Sequence, residues 1–405
     1  MLPPDSSFWP DEGLEYAVDL LYQPPKRSLS LPQSLPEAGI GEILTLETLA
    51  PHVFGKAAPL DAPLAIAHMD PPTPWITWAI ALWNARLNQN LLHPATAPFA
   101  TEAEELVISW LTPYFGMGGG HMCAGSTLAN ITAIWAARDA KGAKKVIASA
   151  AAHLSVKKAA KLLGLAFEAI PTTLEGQLDP NQLGDLSEAC LVLTAGTTAT
   201  GVVDPLDLIG QAAWTHVDAA WAGPLRLSPT YAPLLDGIEK ADSIAISGHK
   251  WLFQPKESAM ILFQTPEVAN EAISFGGGYL TKPNIGIQGS RGAAAIALLA
   301  TLMAWGKSGL VQRIERTMAM AHQLAASLRQ ETQLSLWAVP KTGITVFCPN
   351  NCSTTELLSY LPPEMLSTCI IEDETWLRSV VANPVADVEA IVHRIQAALR
   401  ACAQV

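Results

Sequence analysis

Lys250, in Ser247-Gly248-His249-Lys250-Trp251-Leu252, follows the apolar stretch Ser243-Ile244-Ala245-Ile246-Ser247, and Asp218 ends another in His216-Val217-Asp218-Ala219-Ala220. An amine at the end of a buried strand is desolvated and becomes a usable nucleophile near neutral pH. A carboxylate ending a second strand can face it across a planar cofactor. The pairing reads as a pyridoxal phosphate (PLP) site, with the lysine for the Schiff base and the carboxylate for the pyridinium nitrogen. Either residue alone carries little, since a single buried aspartate is more often a cap and a lysine after a strand is usually at the surface. What points to a site is their order, together with phosphate- and ring-binding candidates upstream.

Gly125-Ser126-Thr127-Leu128-Ala129-Asn130 opens a helix with small and hydroxyl residues in its first turn. Free N–H groups there, aligned with the helix dipole, make an anion site, although Ser126 or Thr127 would also serve as a simple cap. His153, just after the stretch 145–149, can lie flat on a cofactor ring and hydrogen-bond a substrate carboxylate. Thr194-Ala195-Gly196-Thr197-Thr198 suits a strand-end loop, with Thr198 near the ring hydroxyl or the phosphate side. Arg378 has the fork geometry for bidentate carboxylate binding. Tyr279, after Gly276-Gly277-Gly278, is a phenol on a pliable segment, able to deliver a proton to carbon after CO2 leaves.

Together, His153, Gly196-Thr197-Thr198, His216-Val217-Asp218-Ala219-Ala220 and His249-Lys250-Trp251 resemble the group II PLP-dependent amino-acid decarboxylases, which act on glutamate, aromatic amino acids, histidine or 2,4-diaminobutyrate. The resemblance implies the α/β fold type I of PLP-dependent transferases, with a seven-stranded, mostly parallel sheet and a small C-terminal α+β domain. It implies that Lys250 is the internal aldimine lysine, Asp218 the ring-nitrogen partner, Ala220 the residue beneath the ring and His153 the stacking histidine. Gly125, Ser126, Thr127 and Ser247 look like the phosphate cradle; Gly289 and Ser290, in Gln288-Gly289-Ser290-Arg291, resemble the segment that reaches the neighbouring subunit's phosphate. Arg378 is similar to the arginine that clamps the α-carboxylate. His68, Asn90, His93 and Tyr279 would line the substrate pocket, and Tyr279 or His249 would protonate the quinonoid left by decarboxylation. The implied product is an amine plus CO2. An aminotransferase or a decarboxylation-dependent aldehyde synthase shares the lysine, the aspartate and the fold, and is separated by its products.

These residues need elements to position them. From about residue 75 to 310, helical and short apolar stretches alternate, as in helices crossing between parallel strands. Strands are expected at 145–149, 166–170, 189–195, 215–218, 243–247 and 259–263, with helices at 126–140 and 155–163. A different order follows: a long amphipathic helix at 310–330, strands near 334–339, 343–348, 368–372 and 376–382, and helices at 354–360 and 385–402. Residues 1–65 are proline-rich, with a short helix at 12–22, and are expected to lie across a partner subunit. The expected division is 1–65, 66–310 and 311–405, in a homodimer with shared sites.

Composition narrows the classes further. A net charge of -12 over 405 residues, with Lys plus Arg at 25, argues against nucleic acid as a partner, because phosphate neutralisation needs a basic face. The six cysteines show no CxxC pairing and read as reduced thiols, with no metal site. The longest apolar run, 292–305, falls short of the roughly 20 residues that span a bilayer, and Met1-Leu2-Pro3-Pro4-Asp5 does not open a signal peptide. A cytoplasmic enzyme with no membrane partner is expected. Gly306-Lys307-Ser308 hints at a P-loop, but that motif needs glycine at 301 and finds Thr301.

Overall fold

The structure, a computed structural model, describes residues 12–23 and 30–403; the N-terminal pentapeptide read above for a signal lies outside the described residues. The described residues fall into two compact units that divide between Pro59 and Leu60. Within the first, α1 (Glu12–Tyr22) and α2 (Glu42–Lys56) are linked by Tyr16 Oη donating to Glu47 Oε1 at 3.0 Å.

In the second unit, α3 (Trp75–Leu87) and α4 (Pro98–Phe115) lead into a seven-stranded sheet. Its strands and first crossing helices are, in chain order, β1 (Gly119–Cys123), α5 (Ser126–Lys141), β2 (Lys145–Ser149), α6 (Leu154–Leu162), β3 (Ala166–Ile170), β4 (Ala189–Thr194), β5 (Trp214–Asp218), β6 (Ser243–Ser247) and β7 (Ala259–Phe263). The spatial order is β1-β7-β6-β5-β4-β2-β3, and β7 alone runs against its neighbours. Strands β4 to β7 are buried along their whole length, and continuous apolar runs are what a sheet covered on both faces requires. Sequence patterning placed six of these strands and missed β1. Gly119-Gly120-His121 has low strand propensity, but the close β1–β7 pairing requires the glycine, because a Cβ at Gly120 would come within 2.1 Å of the Ile261 carbonyl oxygen.

Register brings the future site together. Thr194 pairs with Asp218 and Asp218 with Ala245, so the carboxyl ends of β4, β5 and β6 lie side by side. Beyond such ends, open α/β sheets bind ligands. α5 covers this face with small residues, Ala129, Ala133, Ala136 and Ala137, all buried, which lets its axis approach the strands closely.

After α7 (Pro266–Ile273), the short ladder of β8 (Ser274–Phe275) and β9 (Asn284–Ile285) closes the base of the loop that carries Tyr279. α8 (Ala294–Arg329) begins well before the residue 310 expected, because Gly306, with φ 61° and ψ 178°, breaks the helical repeat inside it. By length and composition this segment is apolar enough to cross a bilayer, contrary to the reading that stopped at residue 305. The break divides it, and Leu298, Leu299, Leu310, Ile314 and Met318 are buried in the main core. The chain then forms the antiparallel sheet β10-β11-β13-β12, from β10 (Leu334–Leu336), β11 (Ile344–Pro349), β12 (Ser367–Ile371) and β13 (Glu374–Val380), with α9 (Thr354–Ser359) and α10 (Val388–Cys402). α8, α9 and α10 pack around a core of Leu324, Phe347, Leu357, Leu377 and Ile395.

Candidate active site

Lys250 lies in the turn after β6. Gly248 N–H donates to Ser258 O at 2.8 Å, Phe253 N–H to Lys250 O at 2.9 Å and Gln254 N–H to Gly248 O at 3.1 Å, folding 248–254 into a tight loop. Gly248 permits it, since a Cβ there would meet Ser258 Oγ at 2.2 Å. Burial pushes the Lys250 amine below the usual lysine range, against the upward pull of the Asp218 and Asp70 carboxylates; Lys256 and Arg378 push it further down. The groups that set its charge therefore come from β5, β13 and the segments around residues 70 and 256.

Asp218, buried at the end of β5, accepts from Asn130 Nδ2 at 2.8 Å and from the Ala220 N–H at 3.2 Å. Asn130 is on α5, and its Oδ1 lies 3.0 Å from Nε2 of His216, on the same side of β5 as Asp218. Sequence reasoning had passed over Asn130. The available signal was the His216-Val217-Asp218 alternation, which puts two polar side chains on one buried face.

The start of α5 is open. Gly125 has φ 102° and no side chain caps the helix; a Cβ at Gly125 would meet nothing within 4 Å. Here the hydroxyls of Ser126 and Ser247 hydrogen-bond to each other, joining the α5 start to the end of β6. Thr127, in the same turn, makes no side-chain hydrogen bond among the described residues, and Thr198 is exposed. An anion cradle at α5, a buried carboxylate on β5 and a desolvated amine after β6 fit the phosphate, ring nitrogen and aldehyde of PLP.

His153 caps α6, its Nδ1 accepting from the Ser155 N–H at 3.2 Å. Burial lowers its pKa, Asp218 raises it, and Lys250 and Lys158 lower it, so it shares the neighbourhood of the central pair. His249 is held with Nδ1 3.2 Å from Ser258 O, and burial, Lys256 and Lys250 lower its pKa to about 4. It is neutral at pH 7, which does not favour the proton-donor role expected of it.

Arg378, buried on β13, donates from Nε to Ser367 Oγ at 3.1 Å, from one terminal nitrogen to Thr198 O at 2.8 Å and from the other to Ala67 O at 3.3 Å. A guanidinium has five N–H groups, so one on each terminal nitrogen is not used by these three bonds. Asp70, which the sequence reading also missed, is ion-paired with Lys256.

Other expected pocket residues gather elsewhere. Asn90 Nδ2 donates to Ser290 Oγ at 3.1 Å, and the His93 and Tyr279 rings lie 6.1 Å apart. Arg291 is paired bidentately with Glu104 on α4, and the Gln288 amide oxygen accepts from Ala124 N–H at 2.7 Å. A cavity of about 490 Å³ opens beside this segment, bordered by Asn84, Ala124, Lys256, Ser258 and Ser290. None of Asn90, His93, Tyr279, Gly289 and Ser290, nor the exposed His68, hydrogen-bonds or ion-pairs with Lys250, Asp218, His153 or Arg378 among the described residues.

Residues 61–349 match the family model described as the pyridoxal-dependent decarboxylase conserved domain. The chain is 31% identical over 348 residues to L-2,4-diaminobutyrate decarboxylase of Rhizobium meliloti (strain 1021), covering 77% of this chain and 70% of that one. It is 28% identical over 376 residues to aspartate 1-decarboxylase of Aliivibrio fischeri (strain ATCC 700601 / ES114), covering 78% and 69%. Its fold matches Catharanthus roseus tryptophan decarboxylase, solved in complex with L-tryptophan, with TM-score 0.85 at 20% identity over 97% of each chain.

Proposed function

The chain belongs to the pyridoxal-dependent decarboxylase family and is a PLP-dependent amino-acid decarboxylase, and on that premise we propose that Lys250 carries the cofactor, Asp218 partners its ring nitrogen and Arg378 takes the substrate carboxylate. The observation that carries this reading is the desolvated Lys250 amine with the buried Asp218 carboxylate among its charged neighbours, at the ends of adjacent strands. Bound PLP supplies the electron sink that lets the bond from Cα to the carboxylate break. The chain's own residues do the remainder. Asp218 holds a proton on the ring nitrogen by its charge, and its two oxygens are oriented by Asn130 and the Ala220 N–H. Gly125, Ser126 and Ser247, with Thr127, would hold the phosphate at the helix start, and Ala220, His153 and Thr198 would hold the ring. Arg378, held by Ser367, Thr198 and Ala67, would bind the substrate carboxylate through its remaining N–H groups and so orient the carboxylate for loss as CO2. Its Cα then receives a proton from Tyr279.

We further propose a homodimer in which His68, Asn90, His93, Tyr279, Gly289 and Ser290 complete a site with the partner's help. Support comes from the apolar face of α3, where Trp75, Trp78 and Trp83 are 71%, 50% and 61% exposed. Residues 66–310 would form the cofactor domain and 311–405 the small domain that contributes Arg378. Six free cysteines suit the reducing cytoplasm.

The Asp70–Lys256 ion pair beside Lys250 favours a substrate with an ionised side chain over an aromatic one. L-2,4-diaminobutyrate and L-aspartate, named for two relatives, are the first to try. Assay of CO2 and amine release across the amino acids tests the reading: amine plus CO2 from one of these supports it, and keto acid without CO2 overturns it.

A further inference from the structure

Six side chains around Asp218 form a hydrogen-bond chain whose direction is fixed at one point. Asn130 Nδ2 lies 2.8 Å from Asp218 Oδ2 and 2.9 Å from Ser155 Oγ, while Asn130 Oδ1 lies 3.0 Å from His216 Nε2. A carboxylate only accepts, so the amide nitrogen of Asn130, not its oxygen, must face Asp218. Both amide hydrogens are then spent, one on Asp218 and one on Ser155. With its oxygen accepting from Asn130, the Ser155 hydroxyl has its own hydrogen to give to His153 Nδ1, 2.7 Å away. That nitrogen also accepts the Ser155 N–H, so it is bare and the ring's proton sits on Nε2.

The far end of the chain agrees. His216 must donate from Nε2 to Asn130 Oδ1, and its Nδ1 lies between Ser243 Oγ at 2.9 Å and the Ser243 carbonyl oxygen at 3.2 Å. Ser243 Oγ in turn accepts from Trp214 Nε1 at 2.9 Å. From His216 Nε2 through Asn130 and Ser155 to His153, every donor meets an acceptor.

We propose that Asn130 and Ser155 are positioning residues that hold His153 as a neutral imidazole with its proton on Nε2, presenting a hydrogen-bond donor without a positive charge to the substrate carboxylate. This deepens the reading above and rests on its placement of His153 in the site. Arg378 already meets the carboxylate with one positive charge; an imidazolium would add a second and hold the carboxylate still more tightly than the neutral CO2 it becomes, and such added ground-state binding slows its loss. A neutral donor orients the carboxylate without that penalty. The charged groups around the ring are Asp218 on β5, Lys250 after β6 and Lys158 on its own helix; burial with the two lysines outweighs the aspartate and keeps the ring neutral.

The test is ¹⁵N NMR of histidine-labelled full-length protein, with and without PLP, as a function of pH. His153 is assigned among the nine histidines by its loss in His153→Gln. The expected result is one protonated and one bare ring nitrogen at pH 7, the proton on Nε2, in both states. Ser155→Ala, which keeps the backbone N–H but loses the hydroxyl donor, should raise the share of the Nδ1 tautomer and give a several-fold lower kcat with KM little changed, whereas Ser155→Thr should keep the wild-type balance. A proton on Nδ1, or a charged ring at pH 7, overturns the proposal, and needs no variant to fold. If turnover is unchanged in His153→Gln, the site assignment itself is at fault; if turnover falls while the proton sits on Nδ1, the site stands and the relay does not.

Discussion

Trp221 and Trp251 stack with ring centroids 4.1 Å apart and planes at 26°, both fully buried, and so clamp the segment after Asp218 to the segment after Lys250. Trp221 Nε1 donates to Thr342 O at 2.6 Å, tying the same pair to the chain leading into β11. The distance between the carboxylate and the amine is thereby set by packed indoles rather than by mobile loops.

Trp251→Ala should cost about 3–5 kcal/mol of stability, the usual range for deleting a buried tryptophan, and should weaken PLP retention. Urea unfolding with cofactor titration measures both. A loss under 1 kcal/mol with normal retention would show that the stack does not set the site.

Asp218→Asn should remain folded, because an amide oxygen can still accept from Asn130, yet lose turnover by several orders of magnitude, since a neutral amide does not hold a proton on the ring nitrogen. Near-normal kcat in the variant would assign the carboxylate another role.

Burial lowers the pKa of His216 to about 4 and of His121 to about 3. Both are then neutral in the folded chain and protonated more readily once unfolded, so stability is full above about pH 6.5 and falls as pH drops toward 4. The His216 contribution is on the order of 3 kcal/mol. Urea midpoints at pH 7 and 4.5 should show the decline, and His216→Gln should reduce it while the share of His121 remains. A protein more stable at pH 4.5 than at 7 would contradict the burial argument.

Tyr279 is 72% exposed and touches His93 rather than the Lys250 cluster. If it serves the partner's site, mixing Lys250→Ala with Tyr279→Phe subunits should recover amine formation to about a quarter of wild type, because random pairing leaves half the dimers with one intact site. Tyr279→Phe alone should keep CO2 release while its amine yield drops and aldehyde rises. No recovery on mixing, with exchange of subunits verified, places the tyrosine in its own subunit's site or outside both.

How much of this was legible beforehand follows from where the information sits. β5 and β6 announced themselves as short apolar runs ending in Asp218 and Lys250, and Gly125-Ser126 marked the start of α5. Asn130 did not, because its partners Asp218 and His216 are 88 and 86 residues away and nothing local distinguishes it from an ordinary helix residue. Asp70 sits in a proline-rich turn and gains meaning only from Lys256, 186 residues later. β1 exists by pairing with β7 rather than by propensity, and the start of α8 was obscured by the break at Gly306.

The most direct measurement is borohydride reduction of the PLP-loaded protein followed by peptide mapping. The account predicts a single pyridoxyl group, on the peptide containing Lys250, and its absence in Lys250→Ala with turnover reduced to almost nothing. A label on Lys256 or any other lysine, in a protein that still releases CO2, would contradict it.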